Sequence, residues 1–190
     1  MSSKILFILH LPPPIHGAAM MGKYIQESEL VNSSFDCFCI NLATAGSLSD
    51  IGHISLKKLL KYFFLLKHIS HVVREIRPEL VYITPNAGGK AFFKDFIVVQ
   101  MLKSMGCKVI AHYHNKGVSV YQSKWVYNFF YKRFFSNLKV ILLAENLYKD
   151  IAKYVKREDV YICPNGISNS CKEELEARRN NELSHLLFFV

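Results

Sequence analysis

The sequence predicts an α/β fold: a doubly wound, mainly parallel sheet with helices on both faces. Three observations carry this expectation. Short apolar runs alternate with longer amphipathic segments along the 190 residues. Several of the runs are continuously apolar, which suits parallel strands buried on both faces. Turn and capping residues punctuate the segment ends. Such an alternation builds βαβ units.

In chain order, the first strand is Ile5–Leu9, ended by Pro12-Pro13-Pro14, and the first helix is Ala18–Leu30. Phe35–Leu42 is the second strand, with Phe35, Phe38, Ile40 and Leu42 among its apolar residues. The small, polar stretch Ala43–Ile54 is the longest expected loop and the one expected to move most. Ser55 can cap the helix Ser55–Ile76, and Arg77-Pro78 closes it. Leu80–Thr84 is the third strand. Gly88-Gly89 precede the helix Lys90–Ser104, and Gly106 follows as its stop. Lys108–Tyr113 is the fourth strand, Lys124–Phe135 a helix, Val140–Ala144 the fifth strand, Leu147–Tyr154 a helix and Val160–Cys163 the sixth strand.

The bulk numbers bound the function. Half the residues (51%) are apolar and 21% are charged, the profile of a globular chain and not a disordered one. The net charge of +9 suits either an anionic partner or a merely solvated basic surface. The five cysteines form no Cys-x-x-Cys pair, so neither a disulfide scaffold nor a zinc site is expected, and a reducing cytoplasm fits best. No stretch approaches the ~18 uncharged apolar residues of a membrane span, and the apolar run at the N-terminus is too short for a secretory signal. Helix–turn–helix, zinc and arginine-rich signatures are absent, so no nucleic-acid partner is expected.

In an open parallel sheet, ligands bind beyond the carboxyl ends of the strands. After the first strand comes His10-Leu-Pro-Pro-Pro-Ile-His16-Gly17-Ala18-Ala19. It reads either as a plain turn and helix start or as a phosphate site, with Gly17 and Ala18 leaving the helix amides uncluttered. It is not G-x-G-x-x-G, so a dinucleotide fingerprint is lacking. After the third strand, Asn86-Ala87-Gly88-Gly89-Lys90 places a lysine in a first helical turn, against the dipole preference. After the fourth come His112-Tyr113-His114-Asn115-Lys116-Gly117; the two histidines, two apart on a strand, face one side. A metal pair there lacks a third ligand of suitable spacing. After the fifth comes Glu145, which either starts the next helix or joins the site. After the sixth come Asn165-Gly166, which alone read as turn chemistry.

Taken in order, the loop Pro12–Ala19, the stretch Phe92-Phe93-Lys94-Asp95, the segment His112–Gly117, the run Val140–Glu145 and the turn Pro164-Asn165-Gly166-Ile167 resemble the N-terminal domain of bacterial retaining GT-B glycosyltransferases of family four. The resemblance implies one Rossmann-like half of a GT-B fold, spanning residues 1–168 on the acceptor side, with 169–190 as linker and start of a second domain. It implies transfer of a sugar from a UDP- or GDP-linked donor to a glycan or lipid-linked acceptor in polysaccharide biosynthesis. Gly17 and Ala18 would approach the donor diphosphate, and His114 would contact the donor sugar near the reacting centre. His16, Asn86, Lys90, His112, Asn115, Lys116, Gly117, Glu145, Asn165 and Gly166 complete the expected substrate-binding set. No cofactor and no metal is implied.

Two rivals stay open: an inverting transferase with His114 as general base, and a nucleotide- or lipid-binding α/β module without catalysis. The second domain of the family is missing, so the 190-residue chain alone is expected to transfer no sugar. The apolar run Leu186–Val190 reads as the opening strand of that domain. Lysines mix with bulky apolar residues in Leu56–Lys67, and Lys57, Lys58 and Lys61 form one basic face at helical spacing. That face reads either as the solvated side of a sheet-covering helix or as a peripheral contact with the inner face of the cytoplasmic membrane.

Overall fold

The computed structural model describes residues 2–13, 15–42 and 56–166. Its six strands are β1 (Lys4–Leu9), β2 (Asp36–Asn41), β3 (Leu80–Ile83), β4 (Val109–Tyr113), β5 (Lys139–Leu142) and β6 (Val160–Ile162). The helices are α1 (Gly17–Glu27), α2 (Glu29–Ser34), α3 (Leu56–Ile76), α4 (Gly89–Ser104), α5 (Val118–Tyr121), α6 (Trp125–Phe135) and α7 (Tyr148–Ile151). The strands form a single sheet in the order β2-β1-β3-β4-β5-β6. All five pairings are parallel. The sheet is the expected doubly wound one. From β1 the chain steps outward to β2, then crosses back over β1 to β3, so the winding reverses between β1 and β3.

Alternation along the strands divides the core in two. Leu6 and Ile8 of β1, Val81 and Ile83 of β3 and Ala111 of β4 face one side, where Ile69 of α3, Phe92 of α4 and Phe134 of α6 cover them. Ile5, Phe7, Leu9 and Tyr82 face the other side, against Ile25 of α1 and Val31 of α2. The first layer is the larger and is strongly aromatic. Phe92 meets Tyr131 at 4.6 Å between ring centres, and Phe96 meets Phe130 edge-on at 4.8 Å. Lys103 ties the two helices together: its ammonium donates to the carbonyls of Arg133, Phe134 and Ser136 at the end of α6. A cation there complements the helix dipole, although burial draws its pKa down to about 8.

The structure departs from the sequence reading in three places. The first expected helix is two helices, because the Ser28 hydroxyl accepts the Val31 amide and caps a new start. A short helix, α5, follows β4 where none was expected. The segment expected as the helix Leu147–Tyr154 is a 3₁₀ turn, Glu145–Leu147, leading into the single turn α7. The stop at Gly106 holds: it takes φ +78°, and the Cys107 amide reaches back to the Leu102 carbonyl. The loop Ala43–Ile54, the cap at Ser55, the domain boundary at residue 168 and the run Leu186–Val190 lie outside the described residues.

Candidate functional site

The winding reversal places the ends of β1, β3 and β4 side by side, where an open α/β sheet binds its ligands. The loops leaving these strands are bonded to each other. The His10 amide donates to Thr84 Oγ1 (3.3 Å), joining β1 to β3. The Ala87 amide donates to Asn115 Oδ1 (3.1 Å), joining β3 to β4. Helix α1 then packs directly beneath His10: a Cβ at Gly22 would collide with the His10 carbonyl oxygen. That close approach explains the glycine.

Four histidines gather here. His112 and His114 face the same side of β4, with ring centres 4.2 Å apart. The rings of His10 and His16 are 6.0 Å apart. His16, Lys94 and His114 all act on the charge state of His10, so the loops after β1 and β4 converge on it together with α4. Burial, seconded by those neighbours, draws the His10 pKa down to about 4. Burial and the neighbouring His114 draw His112 to about 3. Burial also lowers His114, against a smaller opposing pull from the Asn165 side chain. The first two imidazoles are therefore neutral at neutral pH.

Their hydrogen bonding is incomplete. His112 Nδ1 bonds the Tyr82 hydroxyl. Burial raises the Tyr82 pKa, so the phenol keeps its proton and the bond joins two neutral groups, leaving His112 Nε2 as the free ring nitrogen. That Nε2, His10 Nε2 and both ring nitrogens of His114 are buried and make no well-formed hydrogen bond within the protein, although the Asn165 side chain lies near enough to His114 to act on it. Buried polar atoms are nearly always satisfied, so four such nitrogens gathered at one rim set this place apart from the rest of the core. Among the described residues, no three His, Cys, Asp or Glu side chains are grouped as metal ligands.

The remaining residues expected at the site divide clearly. His16 is the N-cap of α1, its Nδ1 accepting the Ala19 amide at 3.3 Å. Gly17 and Ala18 begin α1, which has no acidic residue in its first turn, and the space beside Gly17 is open. Their amides have no intrahelical acceptor, as at any helix start. Lys90, Lys116, Asn165 and Gly166 are exposed. Others have internal partners. The amide and side chain of Asn86 both donate to Asp95 Oδ2 at 2.8 Å. The Gly117 amide, at φ +154°, donates to Asp150. Glu145 makes a two-pronged pair with Arg157, at 2.8 and 2.6 Å, on the surface.

Two carboxylates escaped the sequence reading. Asp95 is fully buried on α4; burial pushes its pKa up to about 6, against the Asn86 hydrogen bonds and Lys94. It holds the loop after β3. Asp150 accepts the Gly117, Val118 and Ser119 amides and the Ser119 hydroxyl, and so caps α5. Burial works against its ionised form, but these four bonds hold the carboxyl below its ordinary range. Asp95 entered the sequence reading only as part of the stretch Phe92-Phe93-Lys94-Asp95, with no site role attached to it. Asp150 gave no signal.

No family model and no curated protein sequence matches the chain. Among solved structures, the fold is similar to that of an α,α-trehalose-phosphate synthase (UDP-forming) from Burkholderia vietnamiensis. The TM-score is 0.55 at 10% sequence identity, over 96% of this chain and 51% of that one. The chain thus spans about half the length of that enzyme. At so low an identity the likeness is one of fold alone: the domain is a Rossmann-like α/β domain with a six-stranded parallel sheet.

Proposed function

We propose that this domain is the acceptor-side half of a GT-B glycosyltransferase of the retaining, family-four type. It would take part in transferring a sugar from a UDP- or GDP-linked donor to a glycan or lipid-linked acceptor in polysaccharide synthesis. The observation that carries the proposal is the convergence of unpaired, buried imidazole nitrogens at the ends of β1 and β4, beside the start of α1. Neutral imidazoles both donate and accept, which suits the hydroxyl groups of a sugar. The Gly17 and Ala18 amides, with the dipole of α1 behind them, suit a diphosphate. His114 is the residue proposed to bond the donor sugar as charge develops in the transition state. The retaining assignment rests on the sequence resemblance. The structural neighbour is a UDP-forming enzyme, which makes UDP the first nucleotide to try.

The test is calorimetric titration of the 190-residue chain with UDP, GDP and their sugar conjugates, beside the variant Gly17→Asp. A Cβ at Gly17 meets nothing within 4 Å, so the variant fits the fold. An acid in the first turn favours the helix by roughly 0.3–1 kcal/mol, yet repels a phosphate at the same spot. The expected result is saturable binding of one nucleotide class by the wild type, and its loss in a variant whose thermal stability is equal or higher. Absence of saturable binding to any of these ligands, or unchanged binding by Gly17→Asp, contradicts the proposal.

A further inference from the structure

Helix α3 carries two apolar faces, and the sheet needs only one. Tyr62, Ile69 and Val73 are buried against the sheet and α4. Leu56, Leu59, Leu60, Phe63 and Phe64 form a second stripe at i, i+3, i+4, i+7 and i+8, and all are exposed, between 51% and 75%. Lys67, His71 and Arg74 continue this outward stripe into the C-terminal half of the helix. The Lys67 ammonium lies 4.7 Å above the Phe63 ring, at the join between the apolar and basic halves.

The basic half is shaped. Lys67, His71 and Arg74, with Leu66, Ser70 and Met101, line a shallow groove of about 440 Å³ between α3 and α4. The one acid of α3 is Glu75, which pairs with His71 at 3.6 Å. An apolar stripe running into a cationic groove matches the two zones of an anionic bilayer surface, acyl chains beneath phosphate headgroups. No helix among the described residues is long and apolar enough to cross a membrane, so the geometry is that of a helix lying on the surface.

We infer that the outward face of α3 docks on an anionic lipid bilayer, with Leu56–Phe64 in the acyl boundary and Lys67, His71 and Arg74 on headgroup phosphates. The match in charge selects a bilayer over a second copy of this chain. A copy with net charge +9 would bring the same cations against this face. The docking face acts whatever ligand the strand ends hold, so it stands or falls apart from sugar transfer.

Vesicle flotation of the 190-residue chain tests it, comparing pure phosphatidylcholine with phosphatidylcholine–phosphatidylglycerol mixtures. The chain is expected to float with the mixed vesicles, not with the neutral ones, and to release at high salt. Lys67→Gln with Arg74→Gln is expected to weaken binding about tenfold or more. Phe63→Asn with Phe64→Asn is expected to abolish it. Both sites are on the surface, and circular dichroism verifies that each variant keeps its helix content. Equal flotation on neutral vesicles, or either folded variant floating like the wild type, overturns the inference. So does failure to float on anionic vesicles, whether the chain then elutes as a monomer or, with this face buried in a dimer, as a pair.

Discussion

His112 shows at the scale of one residue how burial fixes chemistry. It is 5% exposed and bonded through Nδ1 to Tyr82, so it stays neutral and its second ring nitrogen is held in a fixed direction. The same burial makes the fold sensitive to acid. His10 and His112 have folded pKa values of about 4 and about 3, below the 6.5 of an unfolded chain. Between those limits the unfolded chain binds more protons, so their contribution is full above pH 6.5 and is lost as pH falls. Asp95 runs the other way. Its folded value of about 6 lies above the unfolded 3.8, so it favours the fold as pH drops from 6 towards 4. Two histidines outweigh one carboxylate, leaving about one proton taken up on unfolding between pH 4.5 and 6. The melting temperature is therefore expected to fall steadily from pH 6.5 to 4.5, and His112→Gln is expected to flatten the slope. A flat wild-type profile by differential scanning calorimetry would count against neutral, buried imidazoles.

At the scale of elements, Asp150 decides the loop after β4. One carboxylate from the turn α7 accepts three successive amides at the start of α5, in the segment that carries His114 and Asn115. Asp150→Ala strands those amides, and the Val118 amide is buried. The expected cost is about 3 kcal/mol, or a drop near 10 °C in melting temperature. Asp150→Asn, which keeps one acceptor oxygen, should fall between. A change below about 0.5 kcal/mol would mean the cap does not hold the loop. This element also marks where the sequence stops being legible. Strands β1, β3, β4 and β5 were readable because a run that is almost wholly apolar has few other uses, and the stop at Gly106 because αL backbone favours glycine. Four residues of α5 complete barely one helical turn and show no period. Their cap lies more than 30 residues away in the chain. The outward stripe of α3 escaped for a different reason. Lys57, Lys58 and Lys61 drew attention to a basic face, whereas Leu56, Leu59, Leu60, Phe63 and Phe64 of that half stand exposed, with cations further along at Lys67 and Arg74. In sequence the same helix reads as a sheet-covering helix whose other side is basic, since the spacing of its lysines is easier to see than a second apolar stripe.

For the whole molecule, the strand order β2-β1-β3-β4-β5-β6 turns separate loops into one rim. His10, Thr84 and His114 are far apart in the chain and meet because the winding reverses beside β1. The convergence of the loops after β1, β3 and β4 was readable from the α/β alternation, since crossover handedness and the parallel sheet fix which ends share a side. Which side chains there are left unpaired was not readable, because partners such as Asp95 and Tyr82 come from other elements. The central claim is that the unpaired imidazoles at this rim receive a nucleotide-linked sugar. The most direct measurement is NMR of the histidine ring nitrogens while a UDP-sugar is added to the 190-residue chain. Saturable shifts are expected at His10, His112 and His114, with His68 and His71 on α3 unmoved. Shifts absent from the first three, or equal at all five, would contradict it.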